Sequence, residues 1–300
     1  MKATPTRLKN HFTALNLARI HRGAANGELV LHDRAGGLFS LYCQILGCLL
    51  VSDVLKCSLR LSFITGDYRT PATAGKDWWT QFFETDVINP ERKQNGKSIE
   101  LPPTKKSARF AHLGVGMARH LAYKLTERIR LRPELLEEIR EFKESRFGTA
   151  PMVGIHYRGT DKLLIEAERV EYGSALDALA RLDPRIHFFV ATDEQEFLDT
   201  MVRKFGERVV FREQHRSTDG TPVHHFDPDH DDTGYTRGKD AIIDAFLLAE
   251  CHGLIRTPSN LSLASSFLNP YLPTFLLNSG TLSGATRDLH RIERAALSHS

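Results

Sequence analysis

The sequence predicts an α/β protein of two lobes, with a doubly wound parallel sheet in the second lobe. Three observations carry that expectation. Strands and helices alternate along residues 151–277. The chain has 300 residues, where a domain takes roughly 100–200. The two halves also differ in charge: residues 1–150 carry 24 Lys+Arg against 15 Asp+Glu, and residues 151–300 carry 16 against 22. The 41% hydrophobic and 26% charged content is that of an ordinary globular chain. It excludes global disorder, a collagen-like chain and a small disulfide scaffold. A net charge of +3 is too small to argue for a nucleic-acid partner.

The first half opens without an apolar leader, since Met1 to His21 mixes Lys, Arg, Asn and His. Val30-Leu31 reads as a strand, Gly36-Gly37 as a tight turn able to receive a ligand, and Leu38 onward as a helix. Leu38, Leu41, Ile45, Leu49 and Val54 keep a helical period. The run Leu38 to Leu55 contains Gln44, Ser52 and Asp53 and falls short of a clean apolar span of about 20 residues. No membrane span is therefore expected. Cys43, Cys48, Cys57 and Cys251 form no CxxC pair, which fits buried free thiols in a reducing, cytoplasmic setting.

Residues 59–63 alternate as a strand. Trp78, Trp79, Phe82 and Phe83 are expected in the core rather than on a stacking wall. Residues 89–133 carry 11 Lys+Arg against three Glu. Within them Leu113, Met117, Leu121, Leu125 and Ile129 recur every fourth position, as on an amphipathic helix. Pro133 opens a further helix with Leu135, Leu136, Ile139 and Phe142 inward, and Gly148 follows its end. Thr149-Ala150 is the expected hinge, giving domains 1–149 and 150–278 and a tail 279–300.

The second half has the cleaner pattern. Residues 152–157, 186–191, 208–212, 253–257 and 273–277 read as strands. Residues 174–182, 193–205, 239–252 and 259–268 read as helices between them. Such alternation implies a parallel sheet covered on both faces, and its ligands bind beyond the carboxyl ends of the strands. Polar clusters stand there: His156 to Lys162, Thr192-Asp193-Glu194, and Thr257 to Ser262. A guanidinium such as Arg158 grips phosphate oxygens bidentately, and a helix N-terminus offers N–H donors to the same group. The loop 224–232 holds His and Asp of metal-ligand type, but no helical HxxxH or HExxH spacing. A polar loop at the cleft is the expectation, with a metallohydrolase as the alternative.

These residues resemble the fucosyltransferase superfamily, which includes the core, nodulation-factor and protein O-fucosyltransferases. Gly154-Ile155-His156-Tyr157-Arg158-Gly159-Thr160-Asp161-Lys162 is similar to its HxRxxDK signature. Ala191-Thr192-Asp193-Glu194 resembles its ATDD strand end. Ile243 to Leu248, followed by Thr257-Pro258-Ser259-Asn260, resembles its last block. The resemblance covers residues 150–270 and extends faintly to Gly36-Gly37 and Trp78-Trp79.

The resemblance implies two Rossmann-like lobes of glycosyltransferase B type, with a GDP-sugar, GDP-fucose, in the second lobe. It implies no metal and no cofactor, a carbohydrate or glycoconjugate acceptor on the first lobe, and inverting transfer. Arg158 would bind the β-phosphate. His156 and Asp244 would lie against the guanosine, and Ser259 and Asn260 would bind phosphate. Asp193 would sit near the nucleotide or brace the loop, and Gly36 and Gly37 would line the donor side. Glu166 matches the position of the catalytic base, assisted by Lys162, with Glu168 as a rival. The family's second arginine is here Gly159. A non-catalytic nucleotide- or glycan-binding protein on the same fold is the alternative.

Overall fold

The computed structural model describes residues 27–33, 36–84, 97–101, 115–159, 172–220, 233–277 and 282–298. The chain forms two compact units, residues 1–135 with 226–239, and residues 136–225 with 240–300. Each unit carries a parallel sheet.

In the first unit, β1 (Glu28–His32) lies between β2 (Ser58–Ser62) and β3 (Ser98–Leu101), parallel to both. The β3 strand lies in the basic segment, where its four residues are too short for a readable alternation. Between β1 and β2 runs α1 (Leu38–Leu55). This helix is apolar nearly all round, so it has no single stripe and is buried on most sides. Val54, expected on the inner face, is exposed in its last turn. By length and composition α1 could also cross a membrane, contrary to the sequence expectation, but most of it is buried inside this unit.

The aromatic pairs form the rest of this core. Trp78 and Trp79 are fully buried, and Trp79 stacks on Phe83 with ring centroids 4.1 Å apart. The Trp78 indole N–H donates to Asp33 Oδ2 at 2.7 Å, so burial of the ring leaves no orphaned donor. Asp33 also accepts from the Thr65 hydroxyl and from the backbone N–H groups of Thr65 and Gly66. One buried carboxylate thus ties the end of β1 to the loop after β2. Helix α2 (Val115–Thr126) follows. Its Leu121 is exposed, whereas Ala122 and Leu125 are buried.

Helix α3 (Pro133–Phe142) is followed by a π-helical turn at Lys143–Phe147. Leu135 and Ile139 are buried and Leu136 is exposed, so the inner stripe is narrower than the sequence suggested. The sheet of the second unit comprises β4 (Met152–Tyr157), β5 (His187–Thr192), β6 (Val209–Val210), β7 (Gly253–Arg256) and β8 (Thr274–Leu276), all parallel, in the order β6-β5-β4-β7-β8. The connecting helices are α4 (Tyr172–Leu179), α5 (Gln195–Phe205), α6 (Thr233–Ala249) and α7 (Asn260–Leu268). Helix α6 begins six residues earlier than its apolar pattern, because its first turns carry polar residues and small glycines.

Two domain expectations change. Residues 279–300 are no tail: helix α8 (Leu282–Leu297) buries Leu289, Ile292 and Ala296 in the core against β4, β7 and β8. The division between units falls within α3, between Leu135 and Leu136, and not at Thr149-Ala150. The reason is packing, since Phe142 and Phe147 both lie edge-on or tilted against Phe189 of β5.

Candidate functional site

The strand order fixes where a ligand should bind. From β4 the chain moves outward through β5 to β6, then returns to β7 on the other side of β4. The switch point lies between β4 and β7, and the crevice beyond their carboxyl ends is the expected site. Arg158 and Thr257 are the residues that leave those two strands. The ladder continues past both strands: Thr257 N–H donates to His156 O at 2.9 Å, and Arg158 N–H donates to Thr257 Oγ1 at 2.9 Å.

Arg158 is braced from β5. Its Nε lies 3.9 Å from Asp193 Oδ2, and the N–H of Gly159 donates to Asp193 Oδ1 at 3.2 Å. Asp193 is itself fixed, because its carbonyl accepts from Ser217 N–H at 2.8 Å. Of the two roles expected for Asp193, the observed contacts are those of a loop brace.

Beyond β7, Ser259 caps α7, its hydroxyl accepting from Leu261 N–H at 3.2 Å. Ser259 is buried and Asn260 half-buried. The positive end of α7 therefore points into the same crevice as Arg158, an arrangement suited to an anion.

His156 is buried in β4, in register with Ala191 and Arg256. Ile155 and Tyr157 belong to the core under α4, α5 and α8. By the two-residue period, His156 faces the other side of the sheet, together with Gly154, which packs on Leu248 of α6. Asp244 lies on that same helix.

Asp244 is 5% exposed, and internal partners already hold both its oxygens: Arg212 Nη1 at 3.3 Å and Gln214 Nε2 at 3.0 Å. Arg212 also pairs with Asp240 at 2.9 Å and approaches Glu138 at 3.7 Å. Burial pushes the Asp244 carboxyl above the usual carboxylate range, and the Arg212 guanidinium pulls against it. The sequence motif singled out Asp244 but not this network, because its partners lie 30 residues away on the segment after β6.

Gly36 and Gly37 lie in the first unit, just before α1. Gly36 N–H donates to Asp67 Oδ2 at 2.9 Å, and Leu38 N–H donates to the Tyr68 hydroxyl at 2.8 Å. Both glycines belong to the start of that helix. Lys162, Glu166, Glu168 and the loop 224–232 lie outside the described residues. Among the described residues no cluster of three or more His, Cys, Asp or Glu could hold a metal, and Cys43, Cys48, Cys57 and Cys251 are buried and form no disulfide.

Gly159 and Glu194, which the sequence placed in two separate motifs, meet here. Gly159 is buried, and a Cβ on it would lie 2.0 Å from Glu194 Oε1. Glu194 is 8% exposed and accepts from the Tyr172 hydroxyl at 2.6 Å. The carboxylate fills the space that any side chain at 159 would need. The visible signal was a glycine at a strand end in place of an arginine. A cavity of about 520 Å³ lies elsewhere, at the sheet edge between α5 and residues 211–216, away from the β4–β7 crevice.

No protein-family model matches the chain, and no curated protein matches it. Solved structures do. NodZ α-1,6-fucosyltransferase soaked with GDP-fucose aligns over 82% of this chain and 93% of its own, at 17% identity and a TM-score of 0.54. Fucosyltransferase NodZ from Bradyrhizobium aligns over 82% of this chain and 94% of its own, at 16% identity and a TM-score of 0.54. A mutant of Arabidopsis thaliana FUT1 in complex with GDP aligns over 92% of this chain and 79% of its own, at 10% identity and a TM-score of 0.49. At these identities the likeness is one of fold: two units with parallel sheets, of the glycosyltransferase B type that the NodZ structures have.

Proposed function

We propose that the chain is a metal-independent, inverting glycosyltransferase that moves fucose from GDP-fucose to a carbohydrate acceptor. The observation that carries this reading is Arg158. It leaves the strand at the switch point, braced by Asp193, beside the capped N-terminus of α7. The shared fold with a fucosyltransferase soaked with GDP-fucose supports the donor's identity.

In this reading the acceptor hydroxyl attacks the anomeric carbon while a carboxylate, Glu166 with help from Lys162, takes its proton. The electron pair of the broken sugar–oxygen bond stays on the β-phosphate. Arg158 and the α7 N-terminus neutralise that developing charge, so electrostatic stabilisation takes the place of a metal. In this reading Asp244 would meet the guanine only by sharing oxygens that Arg212 and Gln214 already hold.

Calorimetric titration with GDP in excess EDTA tests the proposal. Binding is expected in the wild type. A loss of about tenfold or more is expected in Arg158→Ala, since a charge-assisted pair contributes about 1.5–3 kcal/mol. Absence of binding at millimolar GDP, or undiminished affinity in a folded Arg158→Ala, would sink the reading. A screen of GDP-sugars for slow donor hydrolysis separates an enzyme from a binding protein on this fold.

A further inference from the structure

The cavity at the edge of the second sheet takes no part in the donor reading. Its volume of about 520 Å³ is that of a small-molecule site. β6 is the edge strand there, and α5 packs against it. Gln195, Leu198, Asp199, Val202 and Arg203 recur at helical spacing and form the stripe of α5 that borders the cavity. Residues of the segment 211–216 form the facing wall. Phe211 of that wall packs on the core under α4, α5 and α8. Asp244, on α6, belongs to the other face of the sheet.

The lining combines three kinds of group. Leu198, Val202 and Phe211 supply an apolar wall, and Val202 is 39% exposed. Two guanidiniums, of Arg203 and Arg216, are matched by two carboxylates, of Asp199 and Glu213. Gln195 and Gln214 add amides, and Gln195 Nε2 donates to Asp199 Oδ1 at 2.7 Å. Arg216 is the most buried of these polar residues, at 6% exposure. Its Nη2 donates to the Arg212 carbonyl at 2.6 Å and its Nη1 to the Gln214 carbonyl at 3.4 Å. Its Cζ lies 5.7 Å from the Phe211 ring centroid, and its Nε meets no acceptor. A guanidinium has five N–H donors, so this one keeps donors to spare.

Such a lining selects by chemistry. An anion entering here meets Asp199 and Glu213, and a cation meets Arg203 and Arg216. A purely apolar molecule would cover these charges without pairing them, which is costly. A neutral polyol satisfies both signs. Each hydroxyl donates to a carboxylate or amide oxygen and accepts from a guanidinium or amide N–H. A pyranose ring also carries an apolar C–H face, which suits the wall of Leu198, Val202 and Phe211. We propose that this cavity binds a neutral sugar, as a saccharide site separate from the donor crevice. Two strand spacings of about 4.8 Å, from β4 through β5 to β6, lie between the two sites. The proposal stands without the donor reading.

Saturation-transfer NMR on the wild type, with excess GDP present, is the test. The panel is glucose, galactose, mannose and N-acetylglucosamine, with glucuronate and glucosamine as charged counterparts. Transfer to at least one neutral sugar is expected, with both charged sugars bound more weakly. No transfer to any neutral sugar, or a charged counterpart bound as tightly, overturns the proposal. Arg216→Gln should weaken the sugar by about tenfold, as loss of a charged hydrogen-bond donor does. Val202→Trp fills the cavity from an exposed helix position. It should abolish transfer while GDP affinity and melting temperature stay near wild type. Undiminished transfer in either folded variant overturns the proposal, and if Arg216→Gln does not fold, Val202→Trp decides. Sugar binding by a wild type that does not bind GDP removes the donor reading and leaves this site standing.

Discussion

Gly159 shows how one missing side chain can define a site. It has no positive φ to require glycine. It is glycine because Glu194 lies where a Cβ would go, with Oε1 at 2.0 Å and both other carboxyl atoms within 2.4 Å. Either the carboxylate must swing away from the Tyr172 hydroxyl or the turn carrying Arg158 must shift. Gly159→Ala should therefore destabilise the fold by about 1–3 kcal/mol, the usual cost of overpacking. It should also weaken GDP binding, because Asp193 positions Arg158 through that same turn. In a Glu194→Ala background the obstacle is gone, and the alanine at 159 should cost less than half as much. Urea denaturation of the four proteins gives both numbers. An equal cost in the two backgrounds would show that Glu194 is not the reason for the glycine.

At the scale of an element, the 3₁₀ turn Trp78–Gln81 seats the aromatic core of the first unit through its cap. The Asp77 side chain accepts from Trp79 N–H at 2.9 Å. Burial pushes the Asp77 carboxyl up to about 6, against the Trp79 hydrogen bond that lowers it, and the nearby Asp33 charge adds to the rise. The folded state thus binds this proton more readily than the unfolded chain, whose value is near 3.8. The resulting stability is full below about pH 4 and is lost as pH rises through about 6. Asp77→Asn keeps a good cap and removes the titration. The stability of wild type relative to Asp77→Asn should fall between pH 4 and pH 7, read from urea midpoints across that range, and a constant difference would contradict the shift. The turn itself was only half legible. Two adjacent tryptophans announced a core, but nothing local announced Asp33, which reaches Trp78 across 45 residues. The same holds of the site. The strand ends bearing His156, Arg158 and Ser259 were readable because a parallel sheet gathers carboxyl ends by rule. The roles of Arg212, Gln214 and Glu194 were not, because their partners are set by three-dimensional packing. Helix α8 was missed, as a tail, although Leu289, Ile292 and Ala296 follow a helical period.

For the whole molecule, the sequence placed the hinge at Thr149-Ala150, just after the helix end at Gly148, and packing moves it. The second unit needs α3 and the π-helical turn, because Phe142 and Phe147 close over Phe189 with centroids 6.0 and 5.3 Å from it. The first unit needs residues 226–239 as well as 1–135. Within it Tyr235 stacks on Phe82 at 5.3 Å, and Arg237 donates to the Asp67 carbonyl at 3.0 Å. Neither unit is a continuous piece of chain, so no single cut should release two folded halves. A fragment 150–300 exposes Phe189 and strands residues 233–239 without Phe82. Its loss exceeds that of a 136–300 fragment by the burial of two phenylalanines, about 3–6 kcal/mol. The expected result is no cooperative melt for 150–300, and at most a weak one for 136–300, set against a sharp transition for the full chain. A cooperative melt from 150–300 would restore the boundary at Thr149-Ala150 and show that the aromatic cover of β5 is dispensable.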